Sequence, residues 1–343
     1  MRVESGRAGP RVLFASSSVG LGHVARDLHL RRLMEFGDVE WLTAGSALGF
    51  LEANGEKVHP ASRLLRSLGD VIGGSLIGGC RVRMRPGPIR DLYSAVRSNA
   101  DLIDDAVDLG SYDLVVADEF WELLLSGRRP GKGVFLTDFV DLSPGLWRMP
   151  LRPFIRRLGD AIRRRAVERF DLRVHVGMWG EAGGFWHPGQ LVTDAAVASG
   201  GSGGPVVVNV GGTRAGCGMA AGLGPELRAR GVDFTVIGPC GEFTGNPARI
   251  LSGASAVITL AGYSSLVEVA LLRKPAVVVP IRGHFEHAEN ARAFSGRSGY
   301  RVVPCSDGRA QAEALLEVMG EEPDPPPVVD SSEEIARAIL ELA

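Results

Sequence analysis

The stretch TLAGYSSLVEVALLRKPAVVVPIRGHFEHAENA, residues 259–291, decides how the rest of the chain is read. Its first residues end a strand, which breaks in a small-residue turn around Gly262 and enters a helix at Ser264 and Ser265. Such a turn leaves free backbone N–H groups and two hydroxyls pointing out of the sheet, an arrangement suited to a diphosphate. Glu268 follows one helical turn later on the same face, where a carboxylate accepts both hydroxyls of a ribose. After the apolar strand Ala276–Val279, Pro280 opens a polar loop that carries His284, Glu286, His287 and Asn290 to the same sheet edge. Those side chains suit the hydroxyls of a sugar. A plainer reading stands beside it, in which Ser264 and Ser265 cap a helix and the others are surface charge.

Outward from this stretch the pattern repeats. Short apolar strands (Val206–Val210, Phe234–Ile237, Ala256–Leu260, Ala276–Val279, Arg301–Val303) alternate with helical segments. Upstream, Arg11–Ala15, Val39–Ala44, Tyr112–Ala117, Gly133–Thr137 and Leu172–Val176 do the same. Continuous apolar strands between helices predict parallel sheets covered on both faces. The Gly/Ser run 198–205 reads as a linker between two such units. The expectation is an α/β chain of two Rossmann-like, doubly wound domains facing a cleft. They span 1–195 and 203–328, with a terminal helix over 329–343 returning to the first. Ser331 and Glu334 have capping-box spacing for that helix, read as Ser332–Leu342.

Composition narrows the class. The 343 residues are 45% hydrophobic and 23% charged, with 38 Lys+Arg against 40 Asp+Glu, so disorder is excluded and no global field draws nucleic acid. Cys80, Cys217, Cys240 and Cys305 lie far apart without zinc spacing and read as buried thiols of a reduced chain. No apolar run reaches the length of a membrane span, and no signal peptide is recognisable, so a cytoplasmic location is expected.

The loop after the first strand, Ser16 to Arg26, contains Gly20, Gly22 and His23. Three readings compete. Gly20-x-Gly22-x-x-Ala25 matches a loose dinucleotide fingerprint, but Glu40 stands early in its strand, and Gly45 and Ser46 occupy the place of a ribose-gripping acid. In the second reading His23 caps a helix and Arg26 is solvated. In the third His23 is a general base at the cleft, with Asp118 orienting it and Asp138 a weaker candidate for the same role.

The whole constellation resembles inverting GT-B glycosyltransferases, the superfamily of MurG-like and UDP-glycosyltransferase-like enzymes with a family 28-type C-terminal domain. The likeness rests on Gly262–Ser265, Glu268, Lys274-Pro275, Pro280, Glu286-His287 and Asn290-Ala291, with Gly20–Arg26 and Gly211–Thr213 as the two glycine loops. The resemblance implies that Ser264 and Ser265, with Gly211, Gly212 and Thr213, hold a nucleotide diphosphate. It implies Glu268 on the ribose and Glu286 and His287 on the donor sugar. Two departures stand out. Leu260 replaces a cation that relatives place near the diphosphate, leaving neutralisation to helix dipoles and to Arg214 or Arg282. His287 replaces the usual Gln.

The resemblance thus implies a transferase taking a sugar, UDP-linked, to an acceptor hydroxyl with inversion, His23 acting as base. No Asp-x-Asp occurs, and no metal or cofactor is expected. A sugar-nucleotide epimerase of the same fold and a non-catalytic nucleotide-sugar-binding subunit remain as alternatives. Arg152–Arg169 carries seven arginines against two acids, with Ile155, Leu158, Ile162 and Ala166 on one helical face. That face is either core or a contact with anionic lipid, to which Arg81, Arg83, Arg85 and Arg90 add charge. The second case suggests a lipid-linked acceptor and a peripheral enzyme at the inner face of the membrane.

Overall fold

The computed structural model describes residues 9–83, 85–139, 152–178, 183–193, 203–212, 214–241 and 247–343. The first unit runs β1 (Arg11–Ser16), α1 (Gly22–Arg32), β2 (Asp38–Leu42), α2 (Ser46–Ala53), α3 (Leu68–Val71), β3 (Ile77–Gly78) and β4 (Arg81–Val82). It continues through α4 (Pro86–Ala106), β5 (Leu114–Asp118), α5 (Glu122–Leu125), β6 (Gly133–Thr137), α6 (Arg152–Arg169) and β7 (Leu172–His175). The second runs β8 (Val206–Asn209), α7 (Cys217–Ala229), β9 (Phe234–Ile237), α8 (Pro247–Gly253), β10 (Val257–Leu260) and α9 (Tyr263–Leu271). It ends with β11 (Ala276–Val279), α10 (Phe285–Phe294), β12 (Tyr300–Val302), α11 (Gly308–Val318) and α12 (Ser332–Leu342).

Two five-stranded sheets result, in the orders β2-β1-β5-β6-β7 and β12-β11-β10-β8-β9, parallel throughout. Their strands are apolar on both faces because helices cover both. Val12, Leu13, Phe14 and Ala15 have no exposed surface, and neither do Ala276, Val277, Val278 and Val279. In each sheet the chain winds to one side and then returns to the other. The reversals fall between β1 and β5 and between β8 and β10, the switch points at which sheets of this kind bind ligands.

Several features depart from the sequence reading. Residues 77–82 form a hairpin whose turn residues, Gly79 and Cys80, both have positive φ (58° and 61°). This hairpin leaves its own unit: Ile77 joins the core of the second sheet, and Val82 N–H donates to Arg282 O at 2.9 Å. Cys80 is disulfide-bonded to Cys305, 225 positions away. The expectation of four buried thiols is therefore corrected; of the two free thiols Cys217 is half-buried and Cys240 exposed. The capping box is absent as well, because Ser331 Oγ donates to Pro188 O at 2.9 Å instead of capping α12.

Helix α12 packs on α1 and β7, with Ile335, Ala336 and Ile339 in the same core as Val24 and Leu28. Beside it Gln190 N–H donates to Val329 O (2.8 Å) and Ser331 N–H to Gln190 O (2.9 Å), so two crossings run side by side. The linker run is outside the described residues up to position 202, and so is the first domain's end at 195.

The glycine loops of the two units touch. A Cβ on Gly212 would stand 2.3 Å from Leu21 N and 2.6 Å from Gly20 Cα, both backbone atoms. Gly212→Ala is expected to force the loops apart and cost about 2 kcal/mol, read as a lower urea midpoint at unchanged slope.

Candidate functional site

At the first switch point, β1 hands the chain to a glycine loop and β5 ends in Asp118, so the register pairs Ser16 with Asp118. Helix α1 starts at Gly22, and its first turn carries His23 and then Arg26 on one face. His23 Nδ1 lies 3.2 Å from Asp118 Oδ2, and its Nε2 lies 3.7 Å from Glu119 Oε2. Arg26 is wholly buried. It donates from Nε and Nη2 to the two oxygens of Asp118, both at 2.6 Å, and from Nη1 to Asp138 at 2.8 Å.

These contacts set the charges. Burial alone would raise Asp118, but the charges of Arg26 and His23 and their hydrogen bonds hold it well below the usual carboxylate range. Burial, then Asp138 and Asp118, push Glu119 well above it, toward its neutral form. Glu119 also has φ 46°, and its Oε1 accepts from Asp138 N–H at 2.9 Å. A non-glycine residue in that conformation stores strain, a common mark of functional sites. Asp27, behind the pair, is raised chiefly by burial and accepts from Ser16 Oγ.

The second switch point faces the first. Helix α9 begins at Tyr263 without a side-chain cap from Gly262, and Glu286 Oε1 accepts from Tyr263 N–H at 2.8 Å. Ser265 Oγ accepts from Asn209 Nδ2 at 2.9 Å, and Asn209 Oδ1 accepts from Gly211 N–H at 3.0 Å, Gly211 having φ 73°. A Cβ on Gly22 would lie 2.6 Å from Ser264 Oγ, so the N-termini of α1 and α9 nearly meet. Two positive helix ends converging there favour an anion between them.

Helix α10 supplies the rest. His284 Nδ1 caps it by accepting from His287 N–H at 3.5 Å, and His287 Nδ1 accepts from Ile281 N–H at 3.2 Å. Burial pushes His284 down to about 4 and, with His284 beside it, His287 well below its ordinary value, so both rings are neutral. A neutral ring accepting at Nδ1 carries its proton on Nε2, which makes both residues N–H donors. Asn290 Nδ2 donates to Ala261 O (3.1 Å) and Glu286 (3.3 Å), holding the turn rather than projecting freely. Glu286 is pushed up to about 8, by burial first and then by Asp138.

His23, Asp118, Gly20, Gly22, Gly211, Gly212, Gly262, Ser264, Ser265, Glu286, His287 and Asn290 thus gather at one seam. Glu268 lies deeper, accepting from Thr193 Oγ1 at 2.6 Å. Thr213 lies outside the described residues. The dinucleotide reading fails on Glu40, which sits in mid-strand and is taken by Lys57, Arg11 and Tyr112. Those partners outweigh burial and bring it down to about 2. The solvated Arg26 and the helix-capping His23 fail too, since Leu21 is the N-cap. Sequence reasoning missed Arg26, Glu119, Tyr263 and Asn209. Only the positive φ of Glu119 and the fold's switch points single them out.

Among the described residues, two clusters bring three cation-binding side chains within 4.8 Å of one another: His284, Glu286 and His287, and His23, Glu119 and Asp138. In the first, both Nε2 atoms carry protons. In the second, the Arg26 guanidinium already occupies Asp138.

Glu268 generates a prediction. Burial pushes it up to about 7 from 4.5, against the Thr193 hydrogen bond. A raised acid binds its proton more tightly when folded, so its stabilisation is full below about pH 4.5 and is lost as pH rises through about 7. Glu268→Gln is expected to flatten that decline by about 3 kcal/mol, measured by urea unfolding at pH 4.5 and pH 8.

Residues 240–327 match the glycosyltransferase family 28 C-terminal domain. Over 67 residues the chain is 39% identical to a UDP-N-acetylglucosamine–N-acetylmuramyl-(pentapeptide) pyrophosphoryl-undecaprenol N-acetylglucosamine transferase of Allorhizobium ampelinum. That match takes in 19% of this chain and 18% of the relative's length. In fold the chain is similar to glycosyltransferase SnogD from Streptomyces nogalater, with TM-score 0.54 and 17% identity over 97% of this chain and 99% of that one. It is also similar to the spinosyn rhamnosyltransferase SpnG in complex with spinosyn aglycone, with TM-score 0.55 and 14% identity over 97% and 95%. The family 28 match contains α9, α10 and the turn between β10 and α9, while the structural likeness runs through both sheets. The chain therefore has the two-sheet fold of these glycosyltransferases, and its residues 240–327 match the family 28 C-terminal domain.

Proposed function

We propose that this chain is an inverting glycosyltransferase that moves a sugar from a UDP-linked donor to an acceptor hydroxyl. One observation carries the reading: the His23–Asp118 pair and the N-terminus of α9, where only Glu286 reaches the first N–H, face each other at one seam. The diphosphate lies against that helix end, with Ser264, Ser265, Gly211 and Gly212 around it. The Nε2–H groups of His284 and His287 and the carboxyl of Glu286 meet the sugar and its leaving oxygens. His287 then does as a donor what a Gln amide does in the family pattern. Glu268 receives the ribose hydroxyls on the oxygen that Thr193 leaves free.

With Nδ1–H turned to ionised Asp118, His23 Nε2 keeps a lone pair toward the cleft. An acceptor hydroxyl held between it and the neutral Glu119 loses its proton to Nε2 as its oxygen attacks the anomeric carbon. The bond to the diphosphate breaks on the opposite side, and the configuration inverts. The negative charge leaving with the diphosphate falls on two helix N-termini, so the step needs no metal. The UDP preference draws on the UDP-N-acetylglucosamine donor of the transferase from A. ampelinum; SpnG has also been solved with thymidine diphosphate, so both nucleotides belong in the test.

His23→Ala is expected to lower turnover of UDP-sugars by about 10³-fold while leaving the UDP-induced rise in Tm in place. Equal turnover by this variant would remove His23 as the base. Turnover unchanged by EDTA is the expected sign of metal independence. Transfer to any alcohol separates a transferase from an epimerase, and a chain that binds UDP without turnover is a donor-presenting subunit.

The acceptor we propose is lipid-linked, reached at a membrane surface through α6. Ile155 and Ala166 of the face read from the sequence are core, and Ile162 is half-buried. Phe154 and Leu158 are exposed instead, with Arg156, Arg157, Arg164 and Arg165 around them. Apolar tips within an arginine field suit anionic headgroups. Among the described residues no helix is long and apolar enough to cross a membrane, so contact would be peripheral. The chain is expected to sediment with phosphatidylglycerol vesicles and not with phosphatidylcholine vesicles, and Phe154→Ser with Leu158→Ser to abolish the difference.

A further inference from the structure

We infer that Arg26 is a positioning residue for the base, holding Asp118 and His23 in alignment and making that alignment depend on the seated donor helix. The inference rests on the transferase reading above. The groups behind the imidazole all meet at this one guanidinium. Its fork takes both oxygens of Asp118, its third nitrogen takes Asp138, and Nη2 lies 3.0 Å from His23 Nδ1. A planar fork with two bonds fixes the plane of the carboxylate, and so the direction in which Oδ2 faces Nδ1.

Charge gives Arg26 a second effect. Asp118, Glu119 and Asp138 stand next to His23, and the Arg26–Asp118–Asp138 network behind it is faced in turn by Asp27 on α1, Tyr263 on α9, and His284 and Glu286 at the start of α10. Glu119, Asp27 and Glu286 are pushed toward their neutral forms, which leaves the carboxylates bonded to Arg26, with Arg26 as the cation among them. Without it, two anions would favour the imidazolium and remove the lone pair that accepts the proton.

The outer face of Arg26 is closed by the other unit. The guanidinium carbon lies 5.0 Å from the ring centroid of Tyr263, the first residue of α9. Tyr263 is itself fixed, its hydroxyl accepting from Leu191 N–H at 3.0 Å and donating to Leu191 O at 3.1 Å. Seating α9 therefore seals the cation from water and strengthens its hold on Asp118. A purely structural need at this depth is met as well by apolar residues of similar volume, so a network of this kind points to a functional one.

Histidine-labelled protein followed by ¹H–¹⁵N correlation, with His23 assigned by its loss in His23→Ala, tests this without any substrate. Arg26→Gln is expected to raise the His23 titration midpoint by about one pH unit, and Arg26→Lys, which keeps the charge, to bring it back near wild type. With UDP-N-acetylglucosamine or UDP-glucose as donor, Arg26→Lys is expected to lose about tenfold in kcat with KM for the donor within about twofold, because the fork is gone. An unmoved midpoint in Arg26→Gln overturns the inference. Should Arg26→Gln fail to fold, wild-type kcat in Arg26→Lys overturns it. A wild-type chain that turns over no nucleotide sugar sinks the transferase reading alone, since the titration shift does not depend on it.

Discussion

A guanidinium shut away from water must be neutralised where it stands, and much of this seam is arranged around that need at Arg26. Its three donor positions claim Asp118 and Asp138, the residues at the ends of β5 and β6. Burial first, and then the neighbouring carboxylates, push Glu119 and Asp27 toward their neutral forms. The result is a fixed pattern of charge at the carboxyl edge of the first sheet, with the partly exposed His23 set against it.

The second sheet presents mostly dipoles where the first presents charges. Leu260 occupies the place where a cation is expected, and the electropositive character comes from the ends of α1 and α9 with the N–H groups of His284 and His287. In the function proposed above, such groups hold the diphosphate without forming ion pairs that must later be broken. Close contact between the units is a matter of size: Gly212 lets its backbone approach that of Gly20 and Leu21 where a Cβ would intrude, and Gly22 leaves room for the Ser264 hydroxyl.

The hairpin of residues 77–82 and the strand-like crossing at Gln190 bind the units at two further places. Both come from segments without a strong periodic signature. Residues 77–82 hold short strands of two residues each, too brief for an alternating pattern to register, and the Cys80–Cys305 bond joins positions that no spacing rule relates. The missing capping box has a similar cause. Ser331 has a local partner in principle, but the carbonyl of Pro188 lies closer once the crossing has formed.

What the sequence determined by itself was whatever is local. Runs such as Ala276–Val279 declare a buried parallel strand because their neighbours along the chain carry the signal. Ser264, Ser265 and Glu268 declare a helix start because their spacing is that of one turn. His23 and Asp118 could be named, each standing at a strand or helix boundary, but their pairing at 3.2 Å could not. Tertiary structure decided every relation across the chain. Arg26 meets partners 92 and 112 positions away, Glu119 adopts a conformation its residue type resists, and Tyr263 closes over a cation from the other unit. Periodicity records only which face of an element is buried, whereas the charge of a buried group is settled by which other charges the fold brings within a few ångströms of it.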